Sequence, residues 1–280
     1  MITRPNAKIN LGLNVLRKRE DGYHDLETLF LPCDEVSDTL EIIRGDDYSH
    51  TVASIQERYD PSQTAQAISP DGSVMITIAR REGVDWDPLR DLTVKAIMIM
   101  AEGRKLPPLK VFLEKGIPVG AGLGGGSADA AFALRMVSTM LGFNLSEEAL
   151  CEMASRIGSD CPFFIRNIPQ FGEGRGEILS PMDVPALKDY RMELCLPEGI
   201  SVSTAEAYRG IVPAVPDLSL KDVLSRPVHQ WRDLLTNDFE KTVFAVHPEL
   251  AALKQSLYDR GAVYASMSGS GSALFALFQK

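Results

Sequence analysis

The sequence has few cysteines and few positive charges, and each shortage excludes a class of protein. Its four cysteines among 280 residues form no Cys-x-x-Cys pair, so neither a zinc site nor a disulfide framework is indicated. Lysine and arginine number 29 against 38 aspartates and glutamates, which gives a net charge of −9. No basic stripe appears on any segment, which argues against a nucleic-acid partner.

Long apolar runs are also missing. No run approaches about 18 residues, the length of a membrane-spanning helix, and residues 1–8 lack the apolar core of a signal peptide. We therefore expect a cytoplasmic protein without a membrane partner. With 45% hydrophobic residues, the chain is long enough to bury two adjoining cores.

Glycine, in contrast, is concentrated in one segment. Residues 118–128 read Pro-Val-Gly-Ala-Gly-Leu-Gly-Gly-Gly-Ser-Ala and run into an alanine-rich helix predicted from about Ser127. Glycine lets successive N–H groups converge on one point, and the helix adds its first-turn N–H groups and the positive end of its dipole. The segment therefore predicts a polyphosphate site. The alternative is a turn that only lets a strand and a helix pack closely.

Three other nucleotide motifs do not fit this segment. A Walker A loop requires a lysine, and none lies between Gly120 and Arg135. Gly120, Gly122 and Gly125 formally match the dinucleotide pattern, but the acidic residue that should end a second strand is absent. The chain also lacks the His-Arg-Asp and Asp-Phe-Gly sequences of protein kinases.

Periodicity gives a coarse outline of the elements. Alternating polar and apolar residues at 6–16 predict a strand with Lys8, Asn10 and Asn14 on one face, either solvated or lining a cleft. Further elements are expected as follows: strands at 26–30, 38–44, 73–79, 109–114, 176–179, 192–196 and 273–278; helices at 91–103, 127–141, 147–157, 204–209, 229–235 and 248–260; a loose insertion between 45 and 72; and a proline-rich linker at 213–227.

Several polar residues are candidates for chemistry at a phosphate site. Asp160 follows a predicted helix end in an apolar setting that would partly desolvate a general base, although it could instead cap the turn before Pro162. Lys8 could supply a cation or lie on the surface. Tyr23 and His24 suit a heteroaromatic ligand but could equally pack on the core.

These pieces together resemble a known family. Residues 118–128 are similar to the central motif of the GHMP small-molecule kinases, and four other segments agree with members that act on a methylerythritol unit linked to cytidine diphosphate. Those segments are Ala7-Lys8-Ile9-Asn10-Leu11, Asp21-Gly22-Tyr23-His24, Gly158-Ser159-Asp160-Cys161-Pro162 and Ser268-Gly269-Ser270-Gly271-Ser272. The resemblance covers most of the chain.

The resemblance implies an enzyme that transfers the γ-phosphate of ATP to the 2-hydroxyl of that unit, in the non-mevalonate route to isoprenoid precursors. It implies Asp160 as the base, Lys8 in positioning and charge stabilisation, and Mg²⁺ with ATP. Residues of the ATP site would be Pro118, Val119, Gly120, Ala121, Gly122, Leu123, Gly124, Gly125, Gly126, Ser127 and Ala128, with Lys115 beside the adenine. Acceptor-binding residues would be Asn10, Tyr23, His24, Phe30, Thr204 and Tyr208, of which Tyr23 or His24 and Tyr208 would enclose the cytosine.

The implied fold is α/β (α+β) with two domains, a ribosomal-S5-like N-terminal domain at 1–179 and a ferredoxin-like C-terminal domain at 180–280. We expect a monomer or weak homodimer. Asp91 and Asp129 stand where some relatives have asparagine, and the short C-terminus could leave a sheet edge exposed. The alternatives are another GHMP kinase, acting on homoserine, mevalonate or a sugar, and a non-catalytic nucleotide-binding protein of the same fold.

Overall fold

The computed structural model describes all residues 1–280, and the chain forms two compact units built from separate segments. The first comprises Met1–Ala7, Val36–Pro118 and Gly124–Asn167, and the second comprises Lys8–Glu35, Val119–Leu123 and Ile168–Lys280. Helices and strands occur in both units, which confirms the expected mixed α/β class. The domain boundary expected near Leu179 stays a prediction. The compact units are each built from three separate chain segments and do not correspond to a single cut at that residue.

The first unit contains a five-stranded sheet. Its order is β1-β4-β7-β6-β5, and only the β6–β7 pair is parallel. The strands are β1 (Ile2–Thr3), β4 (Thr39–Arg44), β5 (Thr64–Ile68), β6 (Val74–Ala79) and β7 (Leu109–Glu114). Because β7 is the central strand and runs into residues 115–118, the glycine segment begins directly after the middle strand of this sheet.

Five helices complete the first unit: α1 (Val52–Arg58), α2 (Leu92–Ala101), α3 (Gly125–Met140), α4 (Glu147–Ser155) and α5 (Cys161–Arg166). The side chain of Asp91 caps α2 by accepting a hydrogen bond from the Thr93 amide, as short acidic residues at helix starts commonly do. Helices α2 and α3 pack against each other. Four of the residues that α3 buries are alanines. Small side chains allow this close approach.

The second unit contains two smaller sheets. One has the order β2-β3-β8-β9 and the other the order β10-β12-β11. Their strands are β2 (Asn6–Lys18), β3 (His24–Ser37), β8 (Gln170–Glu173), β9 (Ile178–Pro181), β10 (Tyr190–Cys195), β11 (Tyr264–Met267) and β12 (Leu274–Gln279). The last strand is central in its sheet, so the expectation that the short C-terminus leaves this edge exposed is wrong.

The helices of the second unit are short, except for the last. They are α6 (Thr204–Tyr208), α7 (Leu220–Leu224), α8 (Trp231–Leu234), α9 (Phe239–Val246) and α10 (Pro248–Asp259). Helices α9 and α10 pack with β11 and β12 around a core that includes Val243, Leu250, Leu257 and Leu274. Between α8 and α9, the chain pairs with β2 through a single parallel bridge from Leu13 to Asn237.

Two regions expected to be irregular are ordered. The insertion between 45 and 72 contains α1 and β5, and β5 pairs with β6 in an antiparallel register. The proline-rich stretch 213–227 contains α7, whose Ser219 cap accepts a hydrogen bond from the Asp222 amide. Tertiary packing stabilises these short elements, because isolated helices of this length are marginal in water.

The connection after β7 yields a prediction about stability. A Cβ atom at Gly116 would lie 2.4 Å from the Ser37 carbonyl oxygen, whereas one at Gly45 would lie at an ordinary 3.4 Å from Pro108. Since backbone cannot move aside as a side chain does, Gly116→Ala should lower the free energy of unfolding by about 1–3 kcal/mol. Urea unfolding of both variants measures this. Equal loss in Gly116→Ala and Gly45→Ala would contradict the packing argument.

Candidate active site

Lys8, Asn10 and Asn14 lie on β2, and all three are buried. They are 3%, 3% and 7% exposed, respectively. The solvated alternative for this strand face is therefore wrong. The Lys8 ammonium donates to the Gly122 carbonyl oxygen at 2.8 Å and to the Asn10 side-chain oxygen, and it lies 5.6 Å from the centre of the Phe30 ring. Hydrogen bonds of this kind are needed to hold a charged group away from water.

The first half of the glycine segment, Val119–Leu123, belongs to the second unit. Gly120 and Gly122 have φ values of +73° and +72°, a region that costs little only for glycine. A Cβ atom at Gly122 would lie 2.1 Å from the Ser268 carbonyl oxygen. Gly122 is thus required by both its backbone angle and its close neighbour.

The second Gly/Ser loop, residues 268–272, packs against this half of the segment. The Ser268 hydroxyl donates to the Gly122 carbonyl oxygen at 3.1 Å, and the Ala273 amide donates to the Ala121 carbonyl oxygen at 3.2 Å. The Asn10 amide in turn donates to the Ser268 hydroxyl at 3.2 Å. The expectation that this loop is held in place is confirmed.

The second half of the segment begins helix α3 in the first unit. The helix starts at Gly125, two residues earlier than predicted, with Gly124 at its N-cap in the left-handed conformation. No side chain caps this end, and no acidic residue lies in its first turn. Its first N–H groups are therefore available to an anion, which the helix dipole also favours.

Asp160 also lies in the first unit, at the N-terminus of α5. It is partly buried, and its side chain makes no capping hydrogen bond to the helix. The capping alternative for Asp160 is therefore wrong. The Ser159 hydroxyl lies 3.3 Å from one carboxylate oxygen. The neighbouring thiol of Cys161 is buried, and this burial raises its pKa to about 11, which leaves it unsuited to act as a nucleophile.

Lys115, expected beside the adenine, is part of a buried cluster with Asp38 and Asp129. Its ammonium contacts both carboxylates, and its side chain is only 4% exposed. Burial by itself disfavours the charged amine, but the Asp129 and Asp38 carboxylates together raise its pKa. Asp38 also accepts hydrogen bonds from the Gly116 and Ile117 amides at 2.6 and 2.7 Å. The cluster fixes the entry to the glycine segment.

Within this cluster, the Asp129 carboxyl has a pKa that burial affects strongly. Burial, reinforced by the Asp38 charge and opposed by the Lys115 ammonium, raises its pKa well above that of an ordinary carboxyl. One of its oxygens is buried without a hydrogen-bond partner. An oxygen buried without a partner adds to the cost of holding this carboxylate in its charged form.

The residues expected around a cytosine all lie in the second unit. The His24 ring stacks on the Tyr208 ring with centroids 4.7 Å apart and planes 21° apart, while Tyr23 is 57% exposed and carries the Arg175 guanidinium 4.9 Å from its ring centre. Burial, with a smaller effect from Lys18, lowers the pKa of His24. His24, not Tyr23, is therefore the residue that stacks on Tyr208.

The remaining two acceptor residues have different surroundings. Phe30 is buried at 3% exposure, and Thr204 is exposed at the start of α6, directly after its cap Ser203. Phe239 packs edge-on against Tyr208 at 4.7 Å. Among the predicted acceptor residues, His24 and Tyr208 thus form a ring contact, and Asn10 and Phe30 lie near the Lys8 ammonium.

Sequence reasoning missed Asp38 and Asn237. Both are buried polar side chains, at 0% and 3% exposure, and both hold backbone of a glycine loop. Asp38 is the first residue of the strand predicted at 38–44, where one polar residue is no distinct signal. Asn237-Asp238 precedes helix α9, a position at which such residues usually form local caps. Neither position therefore carried a sequence signal for a residue that holds a distant loop.

Two further properties of the whole chain concern its ligands. None of the helices has both the length and the apolar character that crossing a membrane requires. No group of three or more His, Cys, Asp or Glu side chains is arranged to hold a metal ion.

Comparisons with known proteins agree with this geometry. The model of the GHMP kinases N-terminal domain matches residues 91–167, and that of the GHMP kinases C-terminal domain matches residues 219–280. Among solved structures, a 4-(cytidine 5'-diphospho)-2C-methyl-D-erythritol kinase is 30% identical, with a TM-score of 0.74 over 99% of this chain and 90% of that one. The Methanococcus jannaschii mevalonate kinase, at 13% identity and a TM-score of 0.61, shares the fold.

Curated relatives cover the full chain. The 4-diphosphocytidyl-2-C-methyl-D-erythritol kinase of Parabacteroides distasonis is 44% identical over 100% of this chain and 92% of its own. That of Bacteroides fragilis is 44% identical over 99% of this chain and 92% of its own. The two-domain GHMP kinase fold expected from the sequence is confirmed. The chain belongs to the GHMP kinases, and within them to the 4-diphosphocytidyl-2-C-methyl-D-erythritol kinase family.

Proposed function

We propose that this protein transfers the γ-phosphoryl group of ATP to the 2-hydroxyl of 4-diphosphocytidyl-2-C-methyl-D-erythritol, giving the 2-phosphate and ADP. The observation that carries the proposal is the 44% identity, over the whole chain, to enzymes named for this activity. In the reaction, a bond forms between the acceptor oxygen and the γ-phosphorus. The bond from that phosphorus to the β-phosphate oxygen breaks, and the hydroxyl proton passes to a base.

ATP binding is assigned to the glycine segment. The uncapped N-terminus of α3 offers N–H groups and a favourable dipole to the phosphates, and the left-handed glycines at 120, 122 and 124 turn the backbone so that further amides face a ligand. Lys115 has its ammonium engaged by Asp38 and Asp129. Its proposed place beside the adenine would therefore involve backbone or stem atoms.

Lys8 and Asp160 are proposed as the catalytic groups. Asp160 would accept the proton of the 2-hydroxyl, and Lys8 would position that hydroxyl and offset the charge that spreads over the phosphoryl oxygens. The buried position of Lys8 supports this role, because a charge held away from water interacts more strongly with a developing charge. A non-catalytic nucleotide-binding protein has no need of either group.

The cytidine end of the acceptor is assigned to Tyr23, His24, Thr204 and Tyr208. The His24 ring stacks directly on the Tyr208 ring, and a base placed between two rings needs roughly twice the separation of a stacked pair. We infer that His24 leaves Tyr208 when the cytosine enters. As a neutral ring, which its lowered pKa favours, His24 could then both donate to and accept from the base edge.

Mg²⁺ is proposed to enter with ATP. The hard cation prefers oxygen ligands and usually keeps waters and substrate phosphates around it, and when bound it would neutralise charge on the β- and γ-phosphates. Ser127, in the first turn of α3, is a candidate protein contact through its hydroxyl, which also hydrogen-bonds the Cys161 thiol. We also propose a cytoplasmic location and a monomer or weak homodimer.

Substrate choice separates this function from that of other GHMP kinases. Incubated with ATP and Mg²⁺, the protein should release ADP with 4-diphosphocytidyl-2-C-methyl-D-erythritol at least about 100-fold faster than with homoserine or mevalonate, since only the first fills a pocket that recognises cytosine. A coupled assay of ADP release measures the rates. Equal rates with all three acceptors would overturn the specific assignment.

Replacement of Asp160 tests the base. Asp160→Asn should lower kcat by about 10²–10⁴-fold because the amide cannot accept the proton, while the affinity for ATP, measured by calorimetry, should change little. Asp183→Asn, at an exposed carboxylate, is the matched control and should retain full turnover. Normal turnover in Asp160→Asn would exclude the proposed base.

Replacement of Lys8 tests charge stabilisation. Lys8→Met keeps most of the stem but removes the ammonium, and it should lower kcat by about 10²–10³-fold. Lys8→Arg should also be impaired, because a planar guanidinium does not fit the site in which Gly122 and Asn10 accept from one nitrogen. Steady-state kinetics measure both variants. Full activity in Lys8→Arg would show that any cation suffices.

Tyr208 tests the cytosine pocket. Tyr208→Ala removes the ring on which His24 rests, so the KM for the cytidine-bearing acceptor should rise by about tenfold or more through lost stacking, with the KM for ATP unchanged. Tyr190→Ala, at the start of β10, is the control. A larger effect on ATP than on the acceptor would place Tyr208 elsewhere in the mechanism.

A further inference from the structure

We propose that Asn237 is a positioning residue for phosphoryl transfer, because it fixes the loop of residues 268–271 against Lys8. It lies in the anchor segment, defined here as Thr236–Glu240, which carries the sequence Thr-Asn-Asp-Phe-Glu. The inference rests on the proposed function of Lys8. All residues that carry it belong to the second compact unit.

Asn237 uses both ends of its amide. The side-chain nitrogen donates to the Met267 carbonyl oxygen at 2.8 Å and to the Gly269 carbonyl oxygen at 2.8 Å. The side-chain oxygen accepts from the Phe239 amide at 3.0 Å. At 3% exposure, Asn237 is closed off from water. Loss of the amide therefore removes its donor from the Gly269 carbonyl and leaves the Met267 carbonyl with the long contact to the Ser266 hydroxyl at 3.4 Å.

The backbone of the anchor segment is itself fixed to β2. The Leu13 amide donates to the Thr236 carbonyl oxygen at 2.8 Å, and the Asp238 amide donates to the Leu13 carbonyl oxygen at 2.9 Å. The Asp238 carboxylate accepts from the Val15 amide at 2.7 Å. Since β2 also carries Lys8, Asn237 links the loop to the same strand that carries the proposed cation.

Glu240 reinforces the link at the end of β11. One of its oxygens accepts from the Met267 amide at 2.8 Å and from the Ser266 hydroxyl at 3.1 Å. The other pairs with the Lys254 ammonium. The anchor segment therefore holds the backbone on both sides of Met267, immediately before the loop begins.

The loop packs tightly around the Lys8 ammonium at Gly269, so a side chain at this position would have little room. A Cβ atom at Gly269 would lie 3.0 Å from the Asn10 side-chain oxygen, 3.2 Å from the Gly122 carbonyl oxygen and 3.3 Å from the Lys8 ammonium nitrogen. Gly269 also has a φ of +54°, which favours glycine. A shift of this loop would move the groups that orient Lys8, and a displacement of about 1 Å can lower a rate about 100-fold.

The test measures kinetics of four variants beside the wild type. Asn237→Ala should lower kcat at least about tenfold while either KM changes less than about threefold, because Lys8 acts on the transferring group. Asn237→Asp keeps the acceptor for Phe239 but loses both donors, so it should show the same pattern. Gly269→Ala disturbs the loop directly and should do so as well. Leu257→Val, in the core of the same unit, is the stability control and should retain kcat within about twofold.

A double variant distinguishes positioning from general destabilisation. If Asn237 acts through the loop, Asn237→Ala combined with Gly269→Ala should be no slower than the slower single variant, whereas independent effects would multiply. Multiplied losses, or full kcat in both Asn237 variants, would overturn the proposal. If the wild type phosphorylates a different acceptor, the same variants are measured with that acceptor, so the proposed function can fail while the positioning role is still tested. A folded wild-type protein that phosphorylates no acceptor overturns both.

Discussion

A buried ammonium group is the constraint on which the second unit depends. Lys8 lies on a strand at 3% exposure, and a charge removed from water must have hydrogen-bond acceptors at fixed positions or it destabilises the fold. The Gly122 carbonyl and the Asn10 side chain supply them. This requirement ties three distant parts of the sequence together: β2, the glycine segment and the loop that begins at Ser268.

Glycine at two positions allows the glycine segment and the loop that begins at Ser268 to approach Lys8 closely. Gly122 and Gly269 both have positive φ values, and a side chain at either would press on backbone or on the groups around Lys8. The two loops thus approach each other more closely than any other residue type would permit. In α3, Gly124 takes the left-handed conformation at the N-cap and no side chain caps the first N–H groups, which suits a phosphate.

In the first unit, the main electrostatic feature is a buried group of one lysine and two aspartates. The Lys115 cluster holds the entry to the glycine segment with one ammonium and two carboxylates, so buried negative charge lies close to a segment proposed to bind a highly anionic ligand. The Lys115 ammonium, which contacts both carboxylates, offsets part of this negative charge. Asp38 nevertheless keeps both loop amides engaged, which explains how a carboxylate can stabilise an anion-binding loop through its backbone.

The sequence by itself determined the long elements and the chemistry of the loops. Strand β2, helices α2, α3 and α10 and the phosphate-type segment follow from local patterns, because periodicity and glycine density are local properties. Local patterns left the roles of Lys8 and Asp160 open, and the family resemblance implied them. Short elements such as α7 and α9, whose stability comes from packing, were missed.

Only the tertiary structure decided which polar residues are buried and what they hold. Lys8 on a strand reads the same whether its face is solvated or enclosed, and Asn237 reads as an ordinary cap until its amide is seen to hold Met267 and Gly269, 30 and 32 positions away. Likewise, no pattern in the sequence could place His24, instead of Tyr23, against Tyr208. These contacts depend on long-range chain topology, which residue spacing does not encode.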